Sequence, residues 1–442
     1  MGRLFGTDGI RGVANVDLTP TLAYDLGRAV GHLLEAFGRR VVIGQDTRRS
    51  GDMLVAAVSS GLASVGADAI QLGVVTTPCL AHAAASGEFA AGIMVSASHN
   101  PADDNGLKVL SGGRKIDDEV EEELERLLFQ AESLPGMANA QIGRITRDMR
   151  PIEAYRATLL AEAGDLLRGM RIAIDCANGS ASAIAPDLLR ELGATVTVLS
   201  ASPDGTNINL DSGSTQPQAL AAAVRAEGLE MGMAFDGDAD RLIAVDGGGS
   251  IVDGDGVMGI CALARLASGT LRNRILVTTV MSNGGLDRAV GAAGGRVIRT
   301  PVGDRHVFEA MERADASLGG EQSGHVIFRD LAVTGDGILT GIQLVRTLRE
   351  TGATLAEAAA QIQMLPQVVI NSAVRHRDQW EVDPEFAVAV AEADARLGAR
   401  GRILVRPSGT EPKIRIMVEG EDADEINQIA RELSELARAR LN

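Results

Sequence analysis

The chain has 442 residues, 45% of them hydrophobic and only 2% aromatic, and a formal charge of −17 at pH 7. That length suits about three domains with cores of Ala, Val, Leu and Ile. The acidic balance argues against nucleic acid and anionic membranes as partners, and a phosphate ligand would need local cations or a metal to hold it.

Along the chain no apolar leader is expected, because Thr7 and Asp8 interrupt the first residues. Val41-Val-Ile-Gly opens a strand that leads through a polar loop to a helix, a stop at Gly66-Ala and a second strand at Ala69-Ile-Gln-Leu. Residues 69–87 are uncharged, yet Gln71, Thr76, Thr77, Pro78 and His82 make them a strand and a helix, not a membrane span. The apolar run Gly92-Ile-Met-Val then delivers Ser98 into a polar turn with His99, Asn100 and Pro101. At the end of a rigid element such a serine is expected to be exposed, where a nucleophile is useful. The acidic stretch 117–132 predicts a helix with a solvated face.

The pattern strand, loop, helix, glycine stop, strand recurs at Ile172-Ala-Ile-Asp to Thr195-Val-Thr-Val and at Ile275-Leu-Val-Thr to Arg296-Val-Ile. Such βαβ units predict largely parallel sheets covered by helices. The last segment breaks the pattern. It reads as a strand at 367–374, a helix capped by Asp383-Pro384, strands at 402–405 and 413–418, and a helix at 422–441 with Ile426, Ile429 and Leu433 on one face. The expected fold is α/β: three similar mixed α/β domains and a smaller α+β C-terminal domain, divided as residues 1–152, 153–254, 255–366 and 367–442. Cys79, Cys176 and Cys261 lack metal spacing and predict reduced thiols in a cytoplasmic protein.

Three further loops carry chemistry. Ala234-Phe-Asp-Gly-Asp-Ala-Asp-Arg aims Asp236, Asp238 and Asp240 at one point, hard oxygen ligands that suit Mg²⁺. An EF-hand would need Gly and Glu where Arg241 and Gly247 stand. Gly319-Gly-Glu-Gln-Ser-Gly-His places Glu321 and Ser323 to recognise adjacent sugar hydroxyls or an amine, between glycines that let backbone approach a ligand. Arg406-Pro-Ser-Gly-Thr-Glu-Pro-Lys-Ile-Arg can wrap a phosphate with Ser408, Thr410 and the backbone around Gly409, while Arg406 and Arg415 add charge-assisted bonds. Of the chain's three lysines, Lys108 follows the serine turn and Lys413 lies in this last loop.

The serine turn, Asp-Gly-Asp-x-Asp-Arg, Gly-Glu-x-Ser-Gly-His and Arg-Pro-Ser-Gly-Thr-Glu-Pro occur in this order, one per domain, and resemble the α-D-phosphohexomutases. The resemblance begins at Phe5-Gly-Thr-Asp-Gly-Ile-Arg-Gly and runs to the last domain. Ser96-Ala-Ser-His-Asn-Pro, Gly320-Glu-Gln-Ser-Gly-His and Pro203-Asp-Gly-Thr-Asn-Ile-Asn are similar to the branch that acts on glucosamine phosphates, although Ser212 stands where many relatives have Cys. The resemblance implies a central cleft lined by phosphoserine, metal-binding, sugar-binding and phosphate-binding domains, and a homodimer. It implies one Mg²⁺ held by Ser98, Asp236, Asp238 and Asp240, and a phosphorylated Ser98. Glucosamine 6-phosphate and glucosamine 1-phosphate would interconvert through glucosamine 1,6-bisphosphate, feeding UDP-N-acetylglucosamine and cell-wall precursor synthesis. Arg11 and Arg241 would contact phosphate, His99 the phosphoryl oxygens and His325 the substrate. Lys108, with a pKa lowered by Mg²⁺ and other cations, would be the general acid/base. Three alternatives stay open: glucose or mannose phosphates on the same scaffold, a haloacid-dehalogenase-type phosphatase with Asp236 as nucleophile, and a non-catalytic sugar-phosphate binder.

Overall fold

The computed structural model describes residues 4–6, 8–407 and 412–442. Four sheets follow one another along the chain. In the first, Arg40–Gln45 lies between the parallel strands Asp68–Val74 and Ala91–Val95. In the second, Arg171–Asp175 lies between the parallel strands Thr195–Leu199 and Met231–Phe235. In the third, Ile275–Thr279 lies between the parallel strands Arg296–Thr300 and Leu318–Gly320. These central strands are apolar on both faces because helices cover both sides of the sheet.

Each of the three sheets then adds one strand that turns back antiparallel: Asp104–Ser111, Leu242–Asp246 and Val326–Phe328. The three turns so formed hold Ser98, the aspartates 236–240, and Glu321 to His325. The internal repeat therefore places the three chemical loops at one equivalent point of three related sheets. The fourth sheet is purely antiparallel, in the order Gln367–Ala373, Lys413–Gly420, Gly401–Pro407. Helices Pro384–Leu397 and Ala423–Arg440 accompany it, and Asp383 and Asp422 cap them through their carboxylates.

One apolar core runs through the first three sheets, joining Met94 and Leu110 to Ile172 and Met233 and on to Leu276 and Leu318. The C-terminal sheet has a core of its own, from Val374 to Leu441. The acidic helix spans Asp118–Leu128, shorter than expected. A separate short turn at Ala131–Ser133 follows, and Leu124, Leu127, Leu128, Ala131 and Leu134 are buried on the domain side. Its Glu125 is also buried, so the face is not wholly solvated. Among the described residues no helix is long and apolar enough to cross a membrane. The three cysteines are unbridged and buried.

Candidate active site

Ser98 is 1% exposed, which corrects the expectation of an exposed serine. The residue takes a left-handed conformation (φ 52°) that turns its side chain down into the junction of the first two domains. Its Oγ donates to Asp236 Oδ2 at 2.5 Å and lies 3.1 Å from His99 Nδ1. Burial first, then Arg241 and Arg11, push His99 down to about 4, so at neutral pH its ring is uncharged.

Asp236, Asp238 and Asp240 are all buried and bring three carboxylate oxygens within 4.8 Å of one another. Burial, followed by the charges of Asp240 and Asp238, pushes Asp236 well above the usual carboxylate range. Burial would also raise Asp240, but His325, Lys108 and Arg241 together hold it below that range. Asp238 Oδ2 accepts from Thr77 Oγ1 at 2.6 Å and from Lys108 Nζ at 2.8 Å. The Oδ1 atoms of Asp238 and Asp240 are buried without a hydrogen-bond partner among the described residues. Unpartnered carboxylate oxygens beside like charges fit a small hard cation.

Lys108 points inward from Asp104–Ser111 and is 1% exposed. In the protein alone its carboxylate neighbours decide its pKa. Burial alone would lower it, but Asp238, Asp8 and Asp240 outweigh that and hold the ammonium above its ordinary value. The reason is the neighbour count, three carboxylates against Arg11.

Asp8, in the motif Phe5-Gly-Thr-Asp-Gly-Ile-Arg-Gly, was given no role from sequence. It pairs with Arg11, Lys115 and, at 3.2 Å, Lys108. Lys115 also reaches Asp304 at 2.7 Å, tying the first domain to the third. An acid three residues before Arg11 in Phe5-Gly-Thr-Asp-Gly-Ile-Arg-Gly was the available signal; Lys115 and Asp304 carried none. Arg11 further donates to Asn100 Oδ1 at 3.2 Å.

Arg241 Nε lies 3.9 Å from Asp240 Oδ1 with no hydrogen-bond partner among the described residues, and its backbone N–H donates to Asp236 Oδ1 at 3.3 Å. In the third loop Glu321 Oε1 accepts the Gly303 N–H at 3.0 Å, and Ser323 Oγ is buried without a hydrogen-bond partner among the described residues. His325 is buried: its Nε2 accepts the Gly335 N–H at 3.1 Å and its Nδ1 lies 3.5 Å from Asp240. It braces Asp240. Arg406 and Arg415 face each other across neighbouring strands. Burial, then Arg415, lowers Arg406, while Glu321 of the third loop attracts it. Neither arginine has an ion pair among the described residues, which suits an anion site. Ser408, Gly409 and Thr410 lie outside the described residues.

Four family models match in this chain order. They are "Phosphoglucomutase/phosphomannomutase, alpha/beta/alpha domain I" at residues 2–135, domain II at 154–249, domain III at 253–365 and the C-terminal domain at 369–436. The chain belongs to the phosphoglucomutase/phosphomannomutase family. Within that family it is 49% identical over 447 residues to the phosphoglucosamine mutase of Symbiobacterium thermophilum, covering 100% of both chains. It is also 49% identical to that of Moorella thermoacetica, covering 99% of both. A crystal structure of a family protein from Burkholderia thailandensis superposes with a TM-score of 0.83 at 26% identity, over 98% of this chain and 97% of that one. The family's four-domain plan thus coincides with the four sheets.

Proposed function

We propose that this chain interconverts glucosamine 6-phosphate and glucosamine 1-phosphate. The observation that carries it is the contact of Ser98 Oγ with Asp236 inside the buried carboxylate cluster, with Lys108 bound to the same cluster. The choice of glucosamine is supported by the two full-length relatives, both named phosphoglucosamine mutase.

In this reading Ser98 carries a phosphoryl group. Asp236, Asp238, Asp240 and an oxygen of that group would hold one Mg²⁺, which supplies charge neutralisation at phosphorus when bound. Arg406 and Arg415 grip the 6-phosphate, Glu321 and Ser323 the sugar, and Arg11 and Arg241 the phosphoryl oxygens. The C1 oxygen bonds to phosphorus as the bond to Ser98 Oγ breaks, giving glucosamine 1,6-bisphosphate and free Ser98. The proton of the C1 hydroxyl passes to Ser98 Oγ as that oxygen leaves phosphorus, with His99 beside Oγ to relay it. Lys108, bound to Asp238, contributes positive charge beside the phosphoryl group. The bisphosphate then turns over, its 6-phosphate returns to Ser98, and glucosamine 1-phosphate leaves. The chain divides in this reading at residues 152, 254 and 366.

³¹P NMR with Mg²⁺, a trace of sugar bisphosphate and one hexose 6-phosphate at a time tests this. Conversion of glucosamine 6-phosphate to its 1-phosphate, with glucose and mannose 6-phosphates much slower, is the expected outcome. Equal or faster turnover of glucose or mannose would overturn the sugar assignment. Release of inorganic phosphate alone would overturn the mutase and favour a phosphatase.

A further inference from the structure

The motif Pro203-Asp-Gly-Thr-Asn-Ile-Asn has no part in the chemistry above, yet its last residue reaches the serine turn from the second domain. Asn209 Nδ2 donates to the backbone carbonyl of Ser98 at 2.9 Å and to that of Asn100 at 3.0 Å. From the first domain Arg48 Nη2 donates to the same two carbonyls, at 3.0 and 2.8 Å. Both partners of the Asn209 amide are acceptors, so its nitrogen must be the atom that faces them. The N–H of Ser98 is held too, by Ser96 Oγ at 2.9 Å, which itself donates to Asp46 Oδ2 at 2.6 Å. Both the N–H and the carbonyl of left-handed Ser98 are thus held in a bracket of hydrogen bonds.

The two arms of the bracket differ in what they fix. Arg48 is buried and paired with Asp46 at 2.9 Å, so it shapes the turn within its own domain. Asn209 belongs to the domain that carries Asp236, and its own N–H is tied to Ala177 O at 2.8 Å. Beside it, a Cβ at Gly237 would lie 2.5 Å from the Ser98 carbonyl, so the aspartate loop and the serine turn touch backbone to backbone. We propose that Asn209 is a positioning residue that sets the approach of Ser98 Oγ to the carboxylate cluster. It keeps the turn in place while Oγ alternates between hydroxyl and phosphoester. This inference rests on Ser98 as the phosphoryl carrier.

The test uses Asn209→Asp and Asn209→Gly in the full chain. Asn209 is half-buried with φ 59°, a conformation that Asp and Gly both accept, so neither variant adds much backbone strain. Asp keeps the shape but turns both donors into an acceptor facing two carbonyls; Gly removes the arm. With sugar bisphosphate in excess, kcat is expected to fall about 10- to 100-fold, since small misplacements of reacting groups cost that much. KM for glucosamine 6-phosphate should stay within about twofold, and the ³¹P resonance of phospho-Ser98 should shift or broaden. A kcat within about twofold of the unsubstituted enzyme in both variants, or a loss carried by KM alone, overturns the inference. So does a loss of kcat that only follows a matching loss of folded protein. If the unsubstituted chain itself fails to interconvert the sugar phosphates, the proposed function has failed, not the bracket.

Discussion

The first three domains and the fourth are held in different ways. The three share one apolar core that crosses from sheet to sheet, and the buried serine, aspartates and Lys108 sit where they meet. The fourth keeps its own core and meets the third through polar groups. Arg402 donates to Val280 O at 2.8 Å and to Ser282 O at 2.5 Å, Glu419 accepts the Gly284 N–H at 3.0 Å, and Arg288 pairs with Glu421 at 2.8 Å. Just before the crossing, Asn283 exchanges two 2.9 Å bonds with the Leu365 backbone. Close-packed apolar surface resists sliding, whereas a few hydrogen bonds can be exchanged for water at small net cost. The contrast suits a reaction with a fixed chemical centre and an intermediate that must be released, turned and gripped again.

The largest effect should come from striking the fixed part. Ser98→Ala is expected to lower kcat by at least about 10⁴-fold with the fold intact, measured by turnover and circular dichroism. Near-normal turnover would end the mutase reading. Lys108→Met leaves buried Asp238 without its cation, and breaking such a pair costs about 3–5 kcal/mol. Denaturant unfolding in chelator should show that loss, and saturating Mg²⁺ should restore part of it. No difference between the two conditions would mean that the carboxylates do not share a cation.

Arg402→Gln attacks the pivot instead. It should raise KM for the sugar phosphate several-fold with a smaller change in kcat, because the grip loosens while the centre stays fixed. A fall confined to kcat would make the polar junction as rigid as the apolar one.

A pH-dependent effect lies beside that junction. Asp255 accepts the Asn283 N–H at 2.8 Å, and burial, followed by the charge of Asp253, pushes its carboxyl up to about 7. The folded chain therefore holds a proton that the unfolded chain, with a pKa near about 4, gives up. That contribution is complete below about pH 4 and lost as pH rises to about 7. Asp255→Asn should flatten the fall of Tm with rising pH over this range, and an unchanged slope would remove Asp255 from the account.

The sequence by itself determined the repeat, the four-domain order and the loops that carry the chemistry. Strand hydrophobicity, glycine stops and alternating aspartates are local patterns, and each is complete within about ten residues. It determined far less about how those loops behave together. Ser98 is buried and left-handed, with Arg48 and Asn209, from two different domains, both donating to its carbonyl. Lys108 is held protonated because Asp8 and Asp238, separated by more than half the chain, close on it. His325 sits in a glycine loop and packs under Asp240 and Gly335. Burial and charge at a site are sums over neighbours from distant parts of the chain, so only the tertiary structure could decide them.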